Sequence, residues 1–211
     1  MIRTRFVPIA LGLLLAGCAT RQFDEAGGLK VVRSTCPAVA IPAYTGDITI
    51  FSPAQSHDAR ALDVSATMTN VRTRCDESGA VVKADVDFDV LARRTNPSGA
   101  RDLVLPYFVT VMRGGTKIMS KQESRVVIHF DDGQLRGQGR GVGGAEINKS
   151  LASLPPSVFD RLNRKRKATD ADASIDPMAD PQVRATVNQA NFELLVGFAL
   201  NEDQLAYNAT R

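Results

Sequence analysis

Tryptophan is absent from this 211-residue chain, and three tyrosines and nine phenylalanines supply its only aromatic side chains besides two histidines. A hydrophobic core therefore has to come mainly from Val, Leu, Ile and Phe, residues that suit a pleated, half-buried surface. His57 and His129 are the only histidines, so there is little from which to build a triad or a zinc centre. The chain contains no GxSxG elbow, no HExxH and no CxxC. These absences argue against an enzyme, and no catalytic residue, metal or cofactor is expected. No apolar run reaches the roughly 20 residues that cross a bilayer as a helix.

The longest apolar run, Phe6 to Leu15, is ten residues and follows a short basic head of Arg3 and Arg5. That length suits a secretory signal rather than a membrane span. Leu15-Ala16-Gly17-Cys18 then ends the run in small residues and a cysteine, a pattern that resembles the lipobox of bacterial lipoproteins. The resemblance implies that residues 1–17 are a removable signal peptide. It also implies that Cys18 becomes the first mature residue, carrying a diacylglycerol on its thiol and an acyl group on its amine. Two or more acyl chains hold a protein stably on a membrane where one does not. Ala19 after the lipidated position, rather than Asp, implies sorting to the outer membrane.

Loss of residues 1–17 removes Arg3 and Arg5 and leaves 24 basic against 23 acidic residues, a net charge of +1. A chain so near neutrality has no global field with which to capture nucleic acid. Two cysteines remain, Cys36 and Cys75. In an oxidising periplasm two such thiols are expected to pair, a link that contributes about 4 kcal/mol for a loop of this length. A reactive thiol or a metal site is the competing reading, for which neither a CxxC partner nor a recognisable His spacing is present.

Residues 18–35 have few apolar positions and read as a flexible tether, with a single domain over 36–211. Within it, a short strand is expected around Thr45 to Phe51. Val64, Ala66 and Met68 then alternate on one face, and Val71, Thr73 and Cys75 resume one residue out of phase, which predicts a bulge near Asn70. Val82 to Ala92 is the clearest half-buried strand, its apolar positions alternating with Lys83, Asp85, Asp87 and Asp89. The two runs should form a hairpin. Leu103 to Met112, a Gly114-Gly115 turn and a return strand over about 117–130 follow. Strands at this spacing predict a mainly β fold, an antiparallel β-sandwich of immunoglobulin-like or similar form with one or two short helices.

The rest is less regular. Gln134 to Gly144 is glycine-rich and reads as a mobile loop, leading into a strand near Ala145 to Lys149. Val158, Phe159 and Leu162 have helical spacing, and residues around 160–180 read as a flexible, exposed insertion. Asp180-Pro181 is a helix start whose apolar face is Val183, Val187 and Ala190. A strand from Phe192 to Leu200 and a capping box at Asn201 to Gln204 close the chain.

Candidate chemistry is sparse. Asp85, Asp87 and Asp89 share one strand face, but alternate positions lie about 6–7 Å apart, so a face solvated and balanced by basic residues is expected over a cation site. Gly139 to Gly144 matches GxGxxG without the strand before it and the helix after it that a dinucleotide site needs. The basic run Arg161, Arg164, Lys165, Arg166 and Lys167 is followed by Asp170, Asp172, Asp176 and Asp180, which would screen it from lipid head groups. His57 falls in a polar turn and His129 on the outer face of its strand.

The lipobox, Cys36-Pro37, the strand ending at Cys75, Leu105-Pro106-Tyr107-Phe108-Val109 and the closing Val196-Gly197-Phe198 to Gln204-Leu205-Ala206-Tyr207 together resemble a group of bacterial envelope lipoproteins of uncharacterised activity. The resemblance covers most of the mature domain and implies a lipid-anchored protein on the periplasmic side of the outer membrane. The expected role is a non-enzymatic binding or scaffolding module with an envelope protein partner. The alternative is a carrier of lipid or another small apolar ligand, which requires a cavity between the sheets.

Overall fold

The computed structural model describes residues 34–164 and 166–210, and its folded unit begins at Thr35. The expected signal peptide over 1–17, the expected lipidation site Cys18 and nearly all of the expected 18–35 tether lie outside the described residues. The domain is a two-sheet sandwich, mainly β. One sheet has the order β1-β8-β5-β6 and the other β2-β3-β4-β7, with strands β1 (Ala38–Ala40), β2 (Asp47–Phe51), β3 (Leu62–Asp76), β4 (Val81–Arg94), β5 (Arg101–Arg113), β6 (Lys117–Phe130), β7 (Arg136–Asn148) and β8 (Phe192–Phe198).

The alternation in β4 turns Val82, Ala84, Val86, Phe88, Val90 and Ala92 into the core. They meet Leu105, Tyr107, Val109, Val126, Ile128, Phe130, Leu194, Val196 and Phe198 of the facing sheet. Removing such side chains from water contributes about 1.5–3 kcal/mol each. Tyr107 is the polar exception: its ring packs edge-on against Phe88 at 5.0 Å, and its hydroxyl donates to the Val142 carbonyl at 2.7 Å.

β3 and β4 form the expected hairpin, and the bulge falls where the phase slips. Asn70 takes φ 51° and the register shifts between Thr69 and Arg72. Asn tolerates this left-handed conformation better than most residues. The shift points Arg72 and Arg74 outward, beside Asp87 and Asp85.

The mainly β sandwich is as expected, and three details differ from expectation. The glycine-rich segment is not a loop: β7 pairs with β4 without interruption from Val81↔Asn148 to Arg93↔Arg136. Its glycines are needed because side chains of the adjacent strand β4 and backbone and side chains of the other sheet occupy the place of their side chains. A Cβ on Gly141 would lie 2.2 Å from the Phe88 ring, and one on Gly139 would lie 2.8 Å from both Val126 and the Val127 carbonyl. The sheets are not purely antiparallel either, because β1, too short to signal itself by periodicity, pairs parallel to β8.

Helices exceed the expected one or two. Beyond the single turn α1 (Lys149–Ala152) there are α2 (Pro156–Asn163), α3 (Pro181–Ala190) and α4 (Glu202–Thr210). Local chemistry explains two of them. The Asp180 carboxylate accepts from the Gln182 amide at 2.8 Å, with Pro181 in the first turn of α3. Asn201 and Gln204 exchange reciprocal side-chain to backbone bonds, Gln204 N–H to Asn201 Oδ1 at 2.8 Å and Asn201 N–H to Gln204 Oε1 at 3.1 Å. After α2 the chain runs through turns to a 3-10 turn at Pro177–Ala179, with Arg161–Asp180 and Arg164–Asp172 pairs along it.

Candidate functional site

The bulge at Asn70 builds a charged cluster on the outer face of the second sheet. The Arg72 guanidinium donates to Asp87 Oδ2 at 2.7 Å and to Asp89 Oδ1 at 2.9 Å. Arg140 of β7 adds a bond to Asp87 Oδ2 at 2.7 Å and Arg74 one to Oδ1 at 3.3 Å. Asp87 is covered by these arginines to 2 % exposure, which corrects the expectation of a solvated face. Hydrogen bonding to Arg72 holds both the Asp87 and the Asp89 carboxyl below the usual carboxylate range, against the opposing effect of burial. Two carboxylates of the row, Asp87 and Asp89, are engaged by guanidinia, an arrangement that ties β3, β4 and β7 together.

Two ladder rows farther along the same face lies a groove of about 710 Å³. Its floor is the row Ser65, Arg93, Arg136 and the row Thr67, Leu91, Gln138, contributed in turn by β3, β4 and β7. Gln134 from the β6–β7 turn and His129 from β6 complete the rim. The lining carries two guanidinia, two hydroxyls, two carboxamides and an imidazole, with no carboxylate, and Leu91 presents an apolar platform that is 50 % exposed. Largest concavities with a few convergent polar groups are the usual place for ligands. Sequence reasoning missed this groove, because its residues come from four strands and a turn and no local motif joins them.

His129 lies on the outer face of β6, as its phase predicts. Its Nδ1 is 2.6 Å from Asp102 Oδ1, directly across the ladder, and Nε2 is 3.3 Å from Asp131. The Asp102 hydrogen bond, reinforced by the charge of both carboxylates, raises the imidazole above its ordinary pKa. His57 is in the turn expected for it, with its ring 5.1 Å from Phe51 and 5.6 Å from Tyr207.

A second opening of about 360 Å³ separates the first half of β6 from the end of β7. Met119 and Gln122 lie on one side, Ala145 and Ile147 on the other, and Val111 and Phe192 at its base. The two edge strands touch near Gly137 and Gly139 and diverge toward this end. Cys36 and Cys75 are brought to disulfide distance, sulfur to sulfur 2.03 Å with Cα atoms 6.1 Å apart. The pair joins the segment before β1 of one sheet to the end of β3 in the other, beside a Thr35 that donates twice to the Glu77 carboxylate. The basic run is largely spent internally, with Arg161 on Asp180 and Arg164 and Arg166 on Asp172. Lys165 lies outside the described residues.

Buried Arg94 was also not anticipated. It is 2 % exposed and donates to the carbonyls of Pro97, Gly99, Asp131 and Gln134 at 2.7–2.8 Å, with its guanidinium 5.2 Å from the Phe130 ring centre. The alternation of β4, carried two residues past Ala92, puts position 94 on the core face, which was the available signal. No protein-family model, no curated protein and no solved structure matches this chain.

Proposed function

We propose that the chain is a lipid-anchored lipoprotein of the bacterial envelope, held through Cys18 on the periplasmic side of the outer membrane, whose domain is a non-enzymatic binding or scaffolding module. The observation that carries the binding role is where the free space lies. The middle of the sandwich is filled, down to the Phe88 ring occupying the side-chain place of Gly141. A groove of about 710 Å³ lies on an outer sheet face, lined by donors without a paired nucleophile and base. Recognition at such a face suits a surface-binding protein. The anchor rests on the lipobox alone.

A second reading is favoured by the opening between β6 and β7, whose base of Val111 and Phe192 is apolar. A small apolar ligand entering between the sheet edges would make the domain a carrier. Chemical cross-linking in intact cells, followed by purification and mass spectrometry of bound proteins and lipids, separates the two. A reproducible protein partner is expected; co-purified lipid without protein would replace the module with the carrier.

A further inference from the structure

We propose that the groove over Arg93 and Arg136 binds a phosphate-bearing ligand, with the two guanidinia taking the phosphate oxygens. The inference rests on the reading of the domain as a surface-binding module and gives that surface its chemistry.

The two arginines stand directly opposite each other on antiparallel strands. Like charges in that position destabilise a sheet. Most other charges on this face are matched: Arg72, Arg74 and Arg140 meet Asp87 and Asp89, and Lys83 meets Glu146 across the ladder at 3.9 Å. The ion pairs of the described residues leave Arg93 and Arg136 without a carboxylate, and the nearby ones are committed, Asp102 and Asp131 to His129 and Asp63 to Arg101. A local rule broken without compensation inside the fold is expected where a ligand supplies the compensation.

The chemistry of the missing partner follows from the donors. One guanidinium satisfies one carboxylate, whereas a phosphate monoester brings three terminal oxygens and a charge near −2, which suits two guanidinia. Ser65 and Gln138 in the same two rows can donate to the ester or to hydroxyls beside it, and Leu91 offers contact to an apolar portion. A volume of about 710 Å³ accepts a phosphorylated sugar or a lipid head group, more than a lone ion fills. Both sources share the phosphate.

The test is calorimetric titration of the full chain in detergent at physiological salt, with glycerol 1-phosphate and with dihexanoyl phosphatidic acid. Saturable binding is expected, weakened at least tenfold by Arg93→Gln and by Arg136→Gln, several-fold by Arg136→Lys, and unchanged by Lys117→Gln at the far end of β6. Equal affinity for the two probes assigns a free phosphorylated molecule; at least tenfold preference for the phosphatidic acid assigns a lipid head group. Relief of the like-charge pair should leave the melting temperature of the glutamine variants equal or higher. Failure of both probes to bind, or equal binding by the Arg93→Gln/Arg136→Gln variant, overturns the inference, as does marked destabilisation by either single substitution. A protein partner still captured in cells with no phosphate affinity would overturn this inference while leaving the binding module intact.

Discussion

Single atoms decide several features of this domain. The Cβ that Gly141 lacks would sit 2.2 Å from Phe88 Cζ, with Phe88 fully buried and unable to swing aside. Gly141→Ala should therefore destabilise by about 3 kcal/mol, the upper range for overpacking. Adding Phe88→Leu should recover part of that loss, and a double-mutant cycle read by urea unfolding checks the coupling. At His129 the prediction concerns pH. Its pKa is raised by Asp102 first and Asp131 second, so the stabilisation from the protonated pair is fully present below the ordinary histidine value of about 6.5. That stabilisation is lost as pH rises through the higher folded-state value. An NMR titration should place the His129 midpoint above the ordinary value, and Asp102→Asn should lower it; no change on that substitution would count against the pair.

At the scale of elements, what could be read from the sequence was whatever a period or a cap announces. The alternation of β4, the phase slip that became the Asn70 bulge, the Asp180 cap and the Asn201 to Gln204 box all speak through neighbouring residues. β7 did not, because its inward positions are glycines at 137, 139, 141 and 143. The period of two is present there as missing side chains, and apolar counting does not register them. β1 is three residues and takes its strand character from β8. The groove depends on which strands become neighbours, and β7 joins β4 only after the chain has built β5 and β6 in the other sheet. Arg94 belongs to this scale, because it binds the turn after β4 to the turn between β6 and β7 through four carbonyls. Arg94→Met should destabilise by about 3–5 kcal/mol, because it strips the donor from four carbonyls that a buried guanidinium holds. Arg94→Lys should recover less than half, since three donors on a point charge cannot span the same set. Thermal unfolding of the three proteins measures both. The Cys36–Cys75 link ties the first strand of one sheet to the hairpin of the other, and its removal in Cys36→Ser/Cys75→Ser should lower stability by up to about 4 kcal/mol. An equal loss on adding reductant to the native protein would assign that effect to the bond itself.

For the molecule as a whole, charge and anchoring divide the work. A mature chain of net charge +1 has little electrostatic attraction to an anionic membrane. The basic run after α2 is held by Asp172 and Asp180, which removes the most obvious patch for head groups. Among the described residues no helix is long and apolar enough to cross a bilayer. On the lipoprotein reading proposed above, attachment comes from covalent lipid at Cys18, where several acyl chains together hold a protein that a single chain would release. The proposal predicts that palmitate supplied to growing cells labels the protein at Cys18 and that the native chain fractionates with outer membranes. Cys18→Ser should lose the label and move the domain to the soluble periplasmic fraction, still folded and with its thermal transition unchanged, since the folded unit begins at Thr35. If the variant stayed with the membrane at low salt and was released by high salt, attachment would have to be sought on the domain surface, and the phosphate groove would become the first place to look.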